Sequence, residues 1–496
     1  MRNPLSLTLA LLLFAAALLL PAALAQNETT QTGPRNRARL TRPGGEDLDR
    51  VFRSYERLSL DTADAAERVR QTGRLVINTG RRVFDLELEP HDMRAATYTA
   101  EETIAPGVKR RVEMGAVRTY KGRVLGSGGM AARFTIDEES LEGLILTRDE
   151  LYYVEPARRY LPSAARTEFL FYKASDVIET DPASCAADSL HGKVAAAAGQ
   201  LGEDSPTASA AVTGGGPQPL ALATPLEAEL ATEADFEYVN ALGGSAAANA
   251  EILSIMNQVE GIYQRDIGLS FRITNQHTWA TSADPYAATD AVALLNELTK
   301  YWNANFTNVQ RDVVHMWTGK NVTYNGDARI AGVAWGGGST GGGVVCKNGG
   351  ASSYGLSERR TETPNKFVLP AHELGHNFDG VHTDGVAGCG STVMRSYAGP
   401  DSVLSFCAAS INRITAHINA NSSCLSAAPV CTFTISPTSA SFTAAGGSNS
   451  FAVTASDASC NWTATTTAAW IHITAGAAGT GSGMVSYTVD ANTATT

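Results

Sequence analysis

The chain has 496 residues, a length that suggests about three structural units at roughly 150 residues each. Its 39 Lys and Arg against 50 Asp and Glu give a net charge of −11, and 44% of the residues are hydrophobic while 18% are charged. This composition is typical of a globular, mildly acidic protein. It excludes a disordered chain and disfavours a nucleic-acid partner, which requires clustered positive charge.

The first 25 residues have the pattern of a secretory signal peptide. Arg2 gives a positive start, the stretch from Leu5 to Leu24 is almost wholly apolar, and Ala23-Leu24-Ala25 fits a signal-peptidase site. We therefore predict cleavage before Gln26, a secreted mature protein and no membrane span after the signal is removed. The alternative is an uncleaved membrane anchor, because about 20 apolar residues can span a bilayer.

Residues 26–193 form the first predicted unit of the mature chain. From about residue 46 to 176 they contain short apolar or alternating runs, such as Val83–Leu88 and Leu151–Val154. Such runs, separated by turns, predict a β-rich domain. Residues 194–223 are rich in Ala, Gly, Ser, Thr and Pro and have no apolar periodicity, so they predict a linker that proteases can reach.

Residues 224–426 alternate between the apolar periods of strands and helices. The order strand, helix, strand, helix, strand predicts a mixed α/β (α+β) domain with helices packed against a sheet. The residues that carry the pattern are Leu226, Ala228 and Leu230, then Ile252 to Tyr263, then Leu269, Phe271 and Ile273, then Val292 to Trp302, and finally Val313 to Trp317. A later helix is predicted from Pro370, as a first helical residue, to Phe378.

Residues 427–496 differ in composition from the rest of the chain. Their only charged residues are Asp457 and Asp490, and short strand-like runs lie among many Thr, Ser, Ala and Gly. This pattern predicts a small C-terminal β-sandwich.

His372-Glu373-Leu374-Gly375-His376 is the stretch that carries chemistry. Two His residues four apart lie on one face of a helix, where both imidazoles can bind one zinc ion, and Glu373 can act as general base for a water on the open side. His382 can supply a third ligand if the chain turns back after the helix. Three protein ligands leave the fourth tetrahedral position for water, the arrangement of a catalytic zinc site.

Residues other than His382 could supply the third zinc ligand. No Glu follows Glu373, which excludes the zinc class that takes a downstream Glu. Asp379 or Asp384 stays open as an alternative ligand, since zinc also accepts carboxylate oxygen. A surface helix without metal is the remaining alternative for a lone His-Glu-x-x-His, and His382 makes it much less favoured.

The segment 372–382 resembles the zinc motif of the metzincin metalloproteases, with the reprolysin or adamalysin-like group as the nearest branch. Met394, in Ser391-Thr392-Val393-Met394-Arg395-Ser396, fits the Met-turn of that family and by resemblance would form an apolar floor beneath the three His residues. The family Gly is replaced by Asp379, with Gly380 one step later, and Asp tolerates the left-handed conformation that this turn needs. The family Asp after the third His is displaced to Asp384.

The resemblance implies further features outside the motif. Ile330–Trp335 would be an edge strand that lines the cleft, although an ordinary core strand is an equal alternative. The implied disulfides are Cys346–Cys424, Cys389–Cys407 and Cys431–Cys460, which leave Cys185 outside the disulfides. Within 26–193, Thr119-Tyr120-Lys121-Gly122 and Tyr153-Val154-Glu155-Pro156 resemble a reprolysin-type propeptide. The tail resembles a BACON-type module that stops before its final strands, which would make the chain a fragment. The residues that carry this resemblance are Cys431, Ile435-Ser436-Pro437-Thr438, Gly446-Gly447, Cys460-Asn461-Trp462 and Trp470-Ile471.

Cys185 is a possible cysteine switch. A thiolate is a strong zinc ligand, so this side chain could occupy the open coordination position until the linker is cut. Pro182-Ala183-Ser184-Cys185 lacks the usual switch motif, and an incidental or intermolecular thiol is the alternative. In the tail, exposed Trp side chains could bind glycan or another surface, but Trp462 and Trp470 are expected in the core.

Together these features predict a secreted, zinc-dependent endopeptidase that is made as a zymogen and acts on protein or peptide substrates. The alternative function is an inactive metalloprotease-like protein that binds surfaces or mediates adhesion. Intact Glu373 and the three His residues favour the enzyme.

Overall fold

The computed structural model describes residues 48–126, 130–147, 150–178, 183–186, 222, 224–336, 344–346, 352–399, 402–428, 431–457, 460–466 and 468–493. The predicted signal peptide and, apart from Leu222, the predicted linker lie outside the described residues. Within the described ranges, no helix is both long and apolar enough to cross a bilayer.

An eight-stranded antiparallel sheet contains most of the N-terminal segment, by which we mean the described residues from 48 to 186. The strands follow the order β1-β10-β9-β8-β7-β6-β3-β2. Their bounds are β1 (Glu56–Ser59), β2 (Arg74–Asn78), β3 (Val83–Pro90), β6 (Thr119–Val124), β7 (Ala131–Ile136), β8 (Leu141–Leu146), β9 (Leu151–Pro156) and β10 (Glu168–Lys173). The predicted β-rich character of this segment therefore matches its structure.

Helix α2 (Thr62–Thr72) covers one face of this sheet and follows a short helix α1 (Leu48–Val51). It begins after Asp61, whose side chain accepts the Asp64 N–H, and it ends at Gly73 in the left-handed conformation. Its apolar residues Ala65, Ala66 and Val69 join the buried core of the sheet. Short 3₁₀ helices span Ala157–Arg159 and Ala174–Asp176.

A second, ten-stranded sheet combines the N-terminal segment with the central segment, the described residues from 224 to 428. Its order is β17-β11-β15-β16-β14-β12-β13-β4-β5, with β18 beside β12. The bounds are β4 (Arg94–Ala105), β5 (Val108–Arg111), β11 (Ala183–Cys185), β12 (Leu226–Ala234), β13 (Leu269–Trp279), β14 (Val313–Thr318), β15 (Ile330–Ala334), β16 (Tyr354–Glu358), β17 (Tyr397–Ala398) and β18 (Ser426–Ala427). Strands β4, β5 and β11 belong to the N-terminal segment, so this sheet crosses the predicted boundary between the two units.

The predicted alternation of the central segment is present in the structure. Strand β12 lies between β13 and β14 and is parallel to both, and helices connect the three strands along the chain. The helices are α3 (Phe236–Leu242), α4 (Ser245–Asp266), α5 (Ala291–Asn305), α6 (Asn365–Asn377) and α7 (Ala408–Asn421), and a 3₁₀ turn spans Ser422–Cys424. Parallel strands need such crossovers, which is why strand and helix periods alternate in the sequence.

The predicted start of α6 at Pro370 is wrong, because the helix begins five residues earlier at Asn365 and contains Pro370. A proline in a helix removes one backbone hydrogen bond, to the carbonyl four residues before it. In α6 this cost falls near the beginning of the helix, and the added turn buries Phe367, Val368 and Leu369. Burial of these three side chains offsets the lost bond.

The C-terminal module, residues 431–493, is a four-stranded sheet of order β19-β20-β24-β22 beside a two-stranded pair β21-β23. Its strands are β19 (Phe433–Ser436), β20 (Gly447–Ala455), β21 (Asn461–Thr463), β22 (Ile471–Ala475), β23 (Ala478–Thr480) and β24 (Gly483–Val489). Trp462 is buried and donates Nε1–H to the Gly481 carbonyl, as expected of a core residue. Trp470 is 56% exposed, so its predicted core position is wrong.

A buried carboxylate ties the central sheet to helix α5. Glu233 on β12 is fully buried and accepts hydrogen bonds from His277 Nδ1, Trp279 Nε1, Trp302 Nε1 and the Tyr286 hydroxyl. Each donor is itself within the core, so the carboxylate satisfies groups that water cannot reach.

We expect Glu233→Ala to lower the free energy of unfolding by about 3–5 kcal/mol, because it leaves several buried donors without an acceptor. Chemical denaturation followed by tryptophan fluorescence measures the change. Glu113→Ala, which removes a solvent-exposed ion pair with Arg111, is the control and should cost about 0–1 kcal/mol. Equal losses for the two variants would contradict the role given to Glu233.

Candidate metal centre

Helix α6 places His372 and His376 on one face, one turn apart, and the chain then reverses to bring His382 beside them. The Nε2 atoms of His372 and His376 are 3.0 Å apart, and those of His372 and His382 are 3.1 Å apart. The structure thus brings together all three histidines that the sequence predicts as metal ligands.

Backbone carbonyls fix the tautomers of the two helical histidines. His372 Nδ1 lies 2.6 Å from the Val393 carbonyl, and His376 Nδ1 lies 2.7 Å from the Gly380 carbonyl. A carbonyl only accepts, so both Nδ1 atoms carry the proton and both Nε2 atoms present lone pairs. Two lone pairs that face each other at 3.0 Å repel unless a cation lies between them.

The spacing of these atoms fits tetrahedral zinc. Zinc–nitrogen bonds of about 2.0–2.1 Å imply nitrogen atoms about 3.3 Å apart in a tetrahedron, close to the two distances here. A zinc-bound histidine usually donates its other ring N–H to a carbonyl or carboxylate, and His372 and His376 have this arrangement. The donor set and its geometry therefore fit zinc.

Cys185 lies at the fourth position of this group. Its Sγ atom is 3.5 Å from His376 Nε2, and a tetrahedral zinc with one sulfur ligand implies about 3.6 Å. The ligand atoms of Cys185, His372, His376 and His382 all lie within 4.8 Å of one another. Cys185 is buried, and it is the cysteine outside the disulfides.

Two strands of the central segment hold Cys185 in place. Strand β11 pairs in parallel with β15, with Cys185 opposite Gly332, and in antiparallel with β17. The Cys185 N–H donates to the Ser396 carbonyl, and the Ala186 N–H donates to the Gly332 carbonyl. The predicted cleft strand Ile330–Trp335 thus contains β15, one side of which pairs with β16 and the other with β11.

Glu373 is fully buried next to the histidine cluster. The Cys185 thiol lies 3.4 Å from its Oε2 atom, while Oε1 has no hydrogen-bond partner among the described residues. Burial raises the pKa of Glu373 well above its usual range, and the hydrogen bond from Cys185 lowers it in part. A Cβ atom at Gly332 would lie 2.3 Å from Oε1, so only glycine at that position leaves room for the carboxylate.

Met394 lies directly beneath the metal-binding helix. It is fully buried, and a Cβ atom at Gly375 would lie 2.5 Å from its sulfur. Its carbonyl accepts the Thr383 N–H, which ties this turn to the residue after His382. The structure therefore places Met394 where the sequence predicts the Met-turn.

The turn between His376 and His382 depends on Asp379. This residue has φ +72°, in the left-handed region that non-glycine residues rarely adopt. Arg413 on α7 donates Nε–H to the Asp379 carbonyl at 2.7 Å and Nη2–H to Oδ1 at 3.0 Å. Arg413 thus holds both the backbone and the side chain of Asp379.

Neither alternative Asp ligand belongs to the histidine cluster. Asp379 pairs with Arg413, and Asp384 Oδ2 accepts the Ser396 N–H at 3.0 Å. Instead, Asp384 links the turn after His382 to the residues that hold β11.

The three disulfides implied by the resemblance are all present: Cys346–Cys424, Cys389–Cys407 and Cys431–Cys460. Cys407 immediately precedes α7, so the Cys389–Cys407 bond anchors the helix that carries Arg413. The partners Arg413 and Gly332 were not found from the sequence, because neither belongs to a recognisable spacing pattern.

Comparison with known proteins assigns a class to the central segment. Residues 227–426 match the family model Reprolysin_5, metallo-peptidase family M12. Among solved structures the chain is similar to metalloproteinase-II from Bacteroides fragilis, with 14% identity and a TM-score of 0.39 over 72% of this chain and 96% of that chain. No match is found among curated proteins.

Residues 227–426 are therefore a metallopeptidase-like domain with a mixed sheet and helices, and the family match supports zinc-dependent peptidase activity. The matched residues include the three histidines, Glu373 and Met394. The C-terminal module and the whole N-terminal segment, including the three strands that it adds to the central sheet, lie outside the match.

We expect Arg413→Ala to weaken zinc binding about fivefold, because a left-handed Asp then loses the contacts that hold it. Asp379→Gly should restore near-original affinity in the Arg413→Ala chain, since glycine adopts this conformation without strain. Competition with a zinc chelator measures the affinity of both single variants and the double variant. If the double variant binds zinc as weakly as Arg413→Ala alone, Arg413 acts in some other way.

Proposed function

We propose that the protein is a secreted zinc-dependent endopeptidase of the metzincin type, made as a zymogen, with Glu373 as its general base. The observation that carries this proposal is the convergence of three imidazole Nε2 atoms beside a fully buried carboxylate whose Oε1 atom has no hydrogen-bond partner within the described ranges. A structural zinc site needs no such carboxylate.

In this proposal His372, His376 and His382 hold the metal. Zinc, when bound, lowers the pKa of a coordinated water and polarises the scissile carbonyl. Glu373 takes a proton from the attacking water and then passes it to the leaving amine. Met394 supports the helix from below through its contact at Gly375.

The substrate in this proposal is an extended peptide. Strand β15 would offer its free N–H and C=O groups as a sheet edge once β11 has left, and Gly332 on that strand lies directly against Glu373. Addition of a strand to such an edge is a common way for proteins to bind peptides. The peptide bond to be cut would then lie beside the histidine cluster.

Cys185 would keep the uncut protein inactive. Its sulfur, 3.5 Å from His376 Nε2, would take the coordination position that water needs, and β11, which pairs with β15, would fill the space of the substrate strand. Cleavage in the segment 194–223 would separate Cys185 from the central segment along the chain. Export by the predicted signal peptide at 1–25 suits three disulfides, which persist in oxidising compartments.

The C-terminal module is proposed to be BACON-like and to contact glycans or another surface. Trp470 and Phe433 are exposed there, at 56% and 40%, and could provide such a contact. This role would accompany the peptidase activity.

We expect Glu373→Gln to lower kcat on a denatured protein substrate by about 10²- to 10⁴-fold while zinc content is unchanged, because the amide cannot accept the proton. Metal analysis and a peptidase assay measure the two quantities on linker-cleaved protein from which the N-terminal segment has been separated. Wild-type protein treated in this way that binds zinc but has no peptidase activity would support the alternative, an inactive surface-binding protein.

We expect cobalt-substituted, uncut protein to show a near-ultraviolet sulfur-to-metal charge-transfer absorption that disappears in Cys185→Ala, because Cys185 supplies a thiolate ligand. Ser184→Ala, on the same strand, is the control and should retain the absorption. A wild-type spectrum without this absorption would show that Cys185 does not bind the metal.

A further inference from the structure

The N-terminal segment contacts the central segment in three separate places, of which the Cys185 strand is only one. The second is the opposite edge of the central sheet, where β4 pairs in parallel with β13 from Ile273 to Trp279. The third is helix α4, which packs against the eight-stranded sheet. We propose that cleavage of the linker alone does not free the enzyme, because the N-terminal segment stays bound as a separate, non-covalent inhibitory chain.

Side chains reinforce the pairing of β4 with β13. Tyr98 donates its hydroxyl to Gln276 Oε1 at 2.6 Å, and Asn275 donates Nδ2–H to the Thr99 hydroxyl at 2.7 Å. His277 Nδ1 donates to Glu233, so its Nε2 atom accepts from the Thr103 hydroxyl at 2.9 Å. The buried network around Glu233 therefore extends into the N-terminal segment.

Helix α4 contacts the N-terminal segment through both apolar and polar side chains. Its apolar residues, among them Ile252, Ile255 and Val259, belong to a hydrophobic core that also includes Leu144 and Tyr153 of the N-terminal segment. A polar stripe at helical spacing also faces the N-terminal sheet; its members are Ser254, Asn257, Gln258, Gly261 and Gln264. A stripe of this kind is suited to water once its partner leaves, whereas a permanent core would be apolar.

The contacts of this stripe are nevertheless specific. Asn257 donates Nδ2–H to the carbonyls of Tyr120 and Phe134, and its Oδ1 atom lies 3.0 Å from His91 Nδ1. Arg133 lies across Gly261, where a Cβ atom would be 2.8 Å from its Nε atom, and it donates to Gln264. Loss of any one contact leaves a buried polar group unpaired while the segment stays bound.

A buried ion-pair cluster joins the metal-binding helix to the same surface. Lys366 on α6 lies 2.9 Å from Glu142 on β8 and 2.8 Å from Glu251 on α4. Arg159 of the N-terminal segment pairs with Glu142 at 3.0 Å. Truncation of one partner in a buried pair of this kind mainly raises the dissociation rate.

These sites lie on one folded unit, so their contributions combine. After linker cleavage, release of β11 from the cleft leaves β4 and the α4 surface bound, and the strand can rebind at high effective concentration. Latency therefore depends on the whole surface and not on the Cys185 thiol alone. The association of the two fragments does not depend on the proposed peptidase function. Only its consequence, the inhibition, rests on that function.

The test uses the full chain with a site-specific protease sequence inserted between residues 194 and 221, in the Glu373→Gln background to prevent self-cleavage. After cutting, we expect the two fragments to elute together on gel filtration and to exchange with an excess of labelled cut protein over hours. The same result is expected with Cys185→Ala. Fragments that separate as soon as the linker is cut would overturn the proposal.

Interface variants in the same background locate the contacts. We expect Glu142→Gln and, from the other side of the interface, Asn257→Ala to speed fragment exchange at least about tenfold. Glu168→Gln, which removes a pair with Arg57 inside the N-terminal segment, is the control and should leave exchange unchanged. Unchanged exchange in both interface variants would also contradict the proposal.

A parallel sample with intact Glu373 separates the two hypotheses. If the cut protein is inactive while its fragments elute together, and becomes active once the fragments are separated, both the peptidase function and the non-covalent inhibition are supported. If the fragments part at once and activity appears, the peptidase function stands and the non-covalent inhibitor does not. If the fragments elute together after cutting, but the central fragment does not cleave substrate even after it has been separated, the peptidase function is contradicted and the non-covalent association is not.

Discussion

The protein depends on one electrostatic constraint: three imidazole Nε2 atoms lie close together, and those of His372 and His376 point lone pairs at each other. The Val393 and Gly380 carbonyls fix this arrangement by accepting hydrogen bonds from the Nδ1–H groups of His372 and His376. A cation between the nitrogen atoms relieves the repulsion, and the Cys185 sulfur lies within 4.8 Å of all three. The Met394 turn, the Asp379 turn and strand β11 all serve to hold these atoms at that spacing.

The ten-stranded sheet connects the histidine cluster to the rest of the fold. Strand β15 brings Gly332 against Glu373, and its free side accepts β11. At the opposite edge β13 accepts β4. The same N-terminal segment thus adds one strand beside β15 and another at the opposite edge of the sheet, and it packs against the polar stripe of α4. In the proposed zymogen, inhibition and architecture would share one surface.

The metal centre could be predicted from the sequence because its chemistry is local. His372, Glu373 and His376 are fixed by their spacing along one helix, and His382 follows in the turn directly after that helix. Strand β4 could not be assigned to the central sheet, since its partner β13 lies more than 170 residues away and strand patterns do not name their partners. Arg413 could not be predicted either, because no spacing pattern in the sequence relates it to its partner Asp379. The early start of α6 was missed because burial of Phe367 and its neighbours outweighs the proline signal.

X-ray absorption at the zinc edge of the uncut protein tests the central claim most directly. The account predicts one zinc per chain with three nitrogen neighbours at about 2.0–2.1 Å, multiple scattering from imidazole rings and one sulfur at about 2.3 Å. A protein that holds no zinc, or a first shell without imidazole scattering, would contradict it.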